Sequence, residues 1–264
     1  MMEPGNRTWP SVFVSHGAPT LPFDDIPARS FLQGLGKTLG KPKAILIVSA
    51  HWETERPAVS AVARPDTIHD FFGFPRELYR LQYNAPGAPA LAARTAQLLD
   101  GAGIEHEVAA ARGLDHGAWV PLMLMYPEAD IPVTQLSVQP MLSGADHLAL
   151  GGALAPLRRE GVLVIGSGGA VHNLGQLDWS GEAPPPDWAT EFDDWIKDTV
   201  AGPHAEDLAA YRTRAPHAYL AQPSDEHFLP IVVALGAAGP GARGELLHAS
   251  FSFGSLSMAA YRFQ

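Results

Sequence analysis

Three short apolar runs decide what this chain can become. They are residues 11–15 (SVFVS), 44–49 (AILIVS) and 161–165 (GVLVI). Each is too short for a buried helix and rich in β-branched residues, so each reads as a strand. Their apolar residues are consecutive rather than alternate, which is the pattern of a strand buried on both faces. Such strands belong to a parallel or mixed sheet with helices packed on either side.

The intervening segments supply those helices. Helical patterns are expected over 27–37, 88–100 (ended by Gly101), 118–125, 147–160 (disturbed at Pro156), 187–200, 207–212 and 225–235. Further strands are expected over 57–63, 105–108, 131–138 and 245–262. Residues 71–87 read as a packed loop with a short helix at 76–81. In 187–200, Trp188, Phe192, Trp195 and Ile196 form one apolar stripe at helical spacing, a core face. The alternation of strand and helix predicts an α/β fold: a single domain across 1–264, with a central parallel or mixed β-sheet flanked by helices on both faces. Gly239-Pro240-Gly241 is a loop within it, because too little chain follows to fold alone.

Composition narrows the function. The chain has 264 residues and 46% hydrophobic content, enough for one substantial core. Charged residues make up 17%, without blocks or repeats, which argues against a coiled coil or a disordered chain. The net charge of −10 comes with no Lys/Arg cluster, so nucleic acid is a poor partner. No apolar run reaches the ~18 residues of a membrane span. The first residues show no basic stretch leading into an apolar one, as a secretory signal would. The expectation is a cytoplasmic protein, a monomer or small homo-oligomer, acting on a small molecule.

Cysteine is absent, which removes disulfides, thiolate nucleophiles and thiolate metal ligands together. Any metal must then be held by His, Asp or Glu. The chain supplies 11 histidines. Three of them share a pattern of strand-like run, small residues, then histidine: His16 in VFVSHG, His51 in ILIVSAHW and His172 in VLVIGSGGAVHN. Ligands of open α/β sheets bind beyond the carboxyl ends of the strands, so these imidazoles are expected at one edge. Imidazole is the commonest metal ligand and the usual general base near neutral pH.

Two more histidines have suitable company. His116 follows Asp115 and precedes an apolar helix. His227, in SDEHFLPIVVAL, is expected in the first helical turn behind a Ser224 or Asp225 cap, where the helix dipole disfavours imidazolium and keeps a ligand nitrogen available. His69, in DTIHDFFGF, is a loop or pocket residue. His106, His147, His204, His217 and His248 read as structural. Trp52 and Trp119 read as core rather than pocket wall. Gly166, Gly168 and Gly169 offer an anion nest, but no lysine follows as a P-loop requires. A site of histidines, with or without a carboxylate, suits Fe(II), Zn or Mn. The residues alone fit an iron oxygenase, a zinc hydrolase, or a non-enzymatic metal-binding protein.

The series SHGAPT, SAHWET, HDFFGFPRELYRLQYNAPG, GLDHGAWVPLMLMYP, GSGGAVHNL and EHFLPIVVALGAA resembles the class III extradiol ring-cleavage dioxygenases, and more narrowly their DOPA 4,5-dioxygenase-like branch. The matches run in order from about Ser15 to Gly236. The resemblance implies one α/β domain with a divalent metal in a cleft, Fe(II) for activity, though members are also recovered with zinc. It implies an oxidoreductase that opens a catechol ring and puts both atoms of dioxygen into the product. His16, His51 and His227 match the metal ligands of the branch, the last replacing the glutamate of the wider class. His172 matches a residue that is either the catalytic base or acid, or a fourth ligand. His116 matches a histidine that helps to bind substrate or dioxygen. Glu226 adjoins His227, but neighbours on a helix point about 100° apart, so one ion would take only one of them, and the EHFLP register favours His227.

Overall fold

The computed structural model describes residues 8–181 and 183–264. Residues 1–7, part of the N-terminal stretch that reads as carrying no secretory signal, lie outside the described residues. The strands are β1 (Ser11–Ser15), β2 (Ala44–Glu53), β3 (Ala58–Ser60), β4 (Glu107–Ala109), β5 (Val133–Val138), β6 (Val162–Gly168), β7 (Gly244–His248), β8 (Phe251–Ser252), β9 (Leu256–Ser257) and β10 (Ala260–Phe263). The helices are α1 (Pro27–Leu39), α2 (Pro89–Gly101), α3 (His116–Met125), α4 (Gly144–Leu154), α5 (Asp187–Ala201), α6 (Tyr211–Arg214), α7 (Ala218–Ala221) and α8 (Leu229–Ala238).

Eight strands form one mixed sheet in the order β4-β3-β5-β2-β6-β1-β10-β7. Its centre, β5-β2-β6-β1, is parallel; β10 and β7 extend it antiparallel beyond β1. The consecutive apolar residues divide between two cores. Val12, Val14, Ile45, Ile47, Leu163 and Ile165 face α1 and α3. Phe13, Leu46, Val48, Val162 and Val164 face the opposite layer, built from α2, α4, α5 and α8. The predicted two-sided burial is what is found. Among the described residues no helix is long and apolar enough to cross a membrane.

Several boundaries differ from expectation. The helix expected at 147 begins at Gly144, because Ser143 and Asp146 form a reciprocal capping box. It ends at Leu154, and residues 155–160, with Pro156 in the first turn, wind as a 3₁₀ helix. The 207–212 helix is a 3₁₀ turn (Ala205–Ala210) followed by α6. The C-terminal strand is broken: β8 and β9 form a small separate pair between β7 and β10. The helix expected from Asp225 starts only at Leu229, with Pro230 in its first turn. Proline suits that turn because it has no amide hydrogen to satisfy there.

Candidate active site

The site is built at the carboxyl ends of the parallel strands. His16 directly follows β1. His51 lies inside β2 rather than after it. The β2–β5 ladder breaks register between Val48 and Glu53, and the β2–β6 ladder ends at Ser49, so the 50–52 stretch turns His51 out of the regular sheet. His172 follows β6 by four residues. His116 opens α3, whose N-cap is Asp115.

His227 is held by the feature that resembled an anion nest. Strand β6 continues through Gly168. A methyl group at Gly168 would stand 2.1 Å from the carbonyl oxygen of His227, and one at Gly166 would stand 2.1 Å from that of Pro230. The Gly169 amide donates to the His227 carbonyl at 2.9 Å. The glycines therefore let the backbone of residues 227–230 lie directly on the strand, and the Gly169 amide serves a carbonyl instead of an anion. His227 thus precedes α8 in a turn. Its expected cap is absent, since the Asp225 carboxylate accepts from Arg212 at 2.7 Å and from Tyr211.

These placements bring five imidazoles together. His51 Nε2 lies 3.0 Å from His16 Nε2 and 3.3 Å from His227 Nε2. The His116 ring sits 3.8 Å from the His51 ring, centroid to centroid. His172 stacks on His227 at 3.5 Å. One ligand atom from each of His16, His51 and His116 fits within 4.8 Å of the others, as does one from each of His172, Glu226 and His227.

The hydrogen bonds show which nitrogens are free. Ser167 Oγ donates its single hydrogen to the Gly117 carbonyl, so it can only accept from His16 Nδ1, 3.1 Å away. His16 therefore carries its proton on Nδ1 and presents a lone pair on Nε2. His227 Nδ1 lies 2.9 Å from Glu226 Oε1 and donates to it, which leaves its Nε2 equally bare. His51 Nε2 faces both bare nitrogens and can donate to one of them or, with its proton on Nδ1, join them around a cation. Two nitrogens bound at ~2.0–2.1 Å to one tetrahedral ion are roughly 3.3–3.4 Å apart, close to the spacings found. The donor set therefore fits a divalent ion, with outer carboxylate or hydroxyl partners of the kind that orient metal-binding histidines.

Electrostatics agree. Burial holds His16 and His51 well below the usual imidazole range, reinforced first by His116 in each case. Burial also lowers His227, against the opposing pull of Glu226. Burial, then the neighbouring His227, lowers His172 to about 3. All four rings are neutral at neutral pH, as ligands and proton acceptors must be. Burial would raise the Glu226 carboxyl, but hydrogen bonds from His227 and Ser224 outweigh it and hold the group at about 2.

Beside the cluster stands an aromatic wall. Phe71 meets His116 edge-on at 5.8 Å and packs against Phe74, Tyr79 and Trp119. His69 is part of this wall, its Nε2 3.0 Å from the Leu81 carbonyl. Trp119 is fully buried and donates to the Ile68 carbonyl, and Trp52 is buried beneath Arg112. Asn173 anchors the turn after His172, accepting from the Gly175 amide and donating to the Leu220 carbonyl.

Sequence reasoning did not single out Asp70, Ser167 or Arg112. Asp70 contacts His116 and lies near His51. Arg112 joins the His51 carbonyl to the buried Asp115 carboxylate, which also accepts from Ser49 at 2.6 Å and from Gln135. Asp70 was visible only as the neighbour of His69, and Ser167 only as part of a glycine turn. Of the histidines read as structural, His147 is buried with both ring nitrogens engaged, and His217 pairs with Glu191 at the surface.

Fold and site together define an α/β protein whose histidine cluster, at the carboxyl edge of the sheet, can hold a metal ion. Family comparison adds the chemistry: the chain belongs to the family described as the catalytic LigB subunit of aromatic ring-opening dioxygenase, matched over residues 12–264. It is 49% identical over 255 residues to the 4,5-DOPA dioxygenase extradiol of Beta vulgaris, covering 95% of each chain. It is 47% identical over 260 residues to the enzyme of the same name from Portulaca grandiflora, covering 96% of this chain and 95% of that one. A crystal structure of an uncharacterized Escherichia coli K12 protein superposes with a TM-score of 0.80 at 37% identity, covering 96% of this chain and 99% of the other.

Proposed function

We propose that this chain is an extradiol dioxygenase that cleaves the ring of DOPA or a closely related catechol, with Fe(II) held by His16, His51 and His227. The observation that carries this reading is that His51 Nε2 lies 3.0 Å from His16 Nε2 and 3.3 Å from His227 Nε2, with Nδ1 of the latter two donating to an outer acceptor. The naming of the plant relatives supports DOPA as the substrate.

A redox-active divalent ion held there supplies acidity to a bound catechol hydroxyl and a path for electrons between ring and dioxygen. The protein does the rest. His172, neutral and beside His227, accepts a phenolic proton. His116 hydrogen-bonds the substrate or the dioxygen-derived oxygens. Phe71 and its aromatic neighbours offer a face for the catechol ring and exclude water from it. The carbon–carbon bond beside the diol breaks, and both oxygen atoms enter a muconic-semialdehyde-type product. The enzyme works in the cytoplasm as a monomer or small homo-oligomer.

The test is oxygen uptake by protein reconstituted anaerobically with Fe(II) and offered a panel of catechols. The expected outcome is a yellow product with matched oxygen consumption, abolished under nitrogen. Turnover supported by zinc and indifferent to oxygen would replace this reading with a hydrolase.

A further inference from the structure

We infer that Asp70 is a positioning residue: it fixes the proton of His116 on Nδ1. The inference rests on the dioxygenase reading for its catalytic consequence only. Asp70 lies in the loop between His69 and Phe71, which the aromatic wall holds in place. Its Oδ2 is 3.0 Å from His116 Nδ1, and its Oδ1 accepts from the His116 backbone amide at 2.9 Å. The same Oδ2 is 3.6 Å from His51 Nδ1.

An ionised carboxylate only accepts hydrogen bonds. The nitrogen facing it must therefore carry the proton, and the opposite nitrogen of a neutral ring must present a lone pair. For His116 this turns Nε2 into an acceptor on the side of the ring away from Asp70. It can then receive a hydrogen bond from a substrate hydroxyl. Three outer acceptors, Ser167, Glu226 and Asp70, thus impose one pattern on three site imidazoles, His16, His227 and His116.

A bland alternative exists. Asp70 accepts from the first amide of α3 and could be no more than a helix cap. Asparagine caps a helix about as well as aspartate, so Asp70→Asn separates the two roles. Its amide oxygen can keep the backbone bond, while its NH₂ group faces His116 Nδ1 and demands a lone pair there.

The experiment uses zinc-loaded protein with ¹⁵N-labelled histidine at pH 8. Long-range ¹H–¹⁵N correlation spectra read the tautomer, and a His116→Asn variant identifies the His116 signals. Wild type is expected to show His116 protonated on Nδ1 only. Asp70→Asn is expected to move that proton to Nε2 while unfolding near the wild-type temperature. It should lower kcat of the Fe(II) enzyme by roughly 10–100-fold. KM should change far less. Asp70→Glu should restore part of the Nδ1–H pattern. A wild-type His116 protonated on Nε2 or on both nitrogens overturns the inference. So does an Asp70→Asn protein with unchanged tautomer and kcat. The wild-type spectrum decides even if the variant fails to fold. Absence of ring cleavage by wild type would refute the dioxygenase reading alone, since the spectra report on Asp70 independently.

Discussion

The imidazole of His172 lies flat against that of His227, with ring planes 7° from parallel and centroids 3.5 Å apart. An imidazole presents its lone pair in the plane of its ring, so an ion held by His227 would lie away from the lone pair of the parallel His172 ring. The stacking thus supports the proposed role of His172 as a proton acceptor beside the site rather than as a further ligand. His172→Ala is therefore expected to retain a full complement of metal and to lose kcat by about 10²–10⁴-fold, the usual scale of a general base. Metal analysis and oxygen uptake on the same preparation check this. A metal-free variant would make His172 a ligand instead.

The meeting of His16, His51 and His227 leads to a second expectation. His16→Ala and His51→Ala should each bind no metal at micromolar concentration. Wild-type protein should unfold at a higher temperature as metal is added, because the ion binds only the folded state. Both variants should lose that response. Ser167→Ala removes the acceptor for His16 Nδ1–H and the hydroxyl donor to the Gly117 carbonyl. It should weaken metal affinity by roughly 10–100-fold without abolishing it.

Backbone packing sets a third. The His227 carbonyl occupies the space that a Gly168 side chain would need, so Gly168→Ala must push the 227–230 segment off β6. The expected cost is about 1–3 kcal/mol, the usual scale of overpacking, together with loss of metal. Gly34 in α1 has open space where its Cβ would go. Gly34→Ala should stabilise by about 0.5–1 kcal/mol through helix propensity and leave metal binding intact. Urea unfolding and metal titration of the two variants distinguish a local packing effect from a general intolerance of glycine replacement.

The same glycines mark where the sequence was legible and where it was not. β1, β2 and the start of β6 could be read because burial on both faces requires consecutive apolar residues. The end of β6 could not, since Gly166 and Gly168 look like loop residues until the backbone lying on them is seen. His227 was visible as a histidine near an apolar helix, but Pro230 delays that helix and burial, rather than a helix dipole, lowers its pKa. His16, His51, His116, His172 and His227, which the fold brings together, could be picked out as candidates from strand ends and motif order. Asp70 was not, because the group that gives it meaning, His116, is 46 residues away. Sequence spacing carries no trace of a hydrogen bond between a loop and a distant helix start.

Away from the site, Asp193 on α5 accepts a hydrogen bond from Ser257 Oγ at 2.6 Å. Burial, with a smaller push from Asp194, raises its carboxyl to about 6, against the Ser257 bond that favours ionisation. In the unfolded chain the same group titrates near 3.9. Between roughly pH 4 and pH 6 the folded protein therefore holds a proton that the unfolded chain has released. The Asp193 contribution to stability is full below pH 4, declines through that window, and is gone above it. A shift of two units corresponds to at most about 3 kcal/mol. Asp193→Asn keeps an oxygen for Ser257 and has no charge to bury. It should match wild type near pH 4 and exceed it by about 1–3 kcal/mol at pH 8. Denaturant unfolding of both proteins at the two pH values isolates the group, since every other titration cancels in the difference. A difference that does not change with pH would mean that Asp193 titrates alike in the folded and unfolded states.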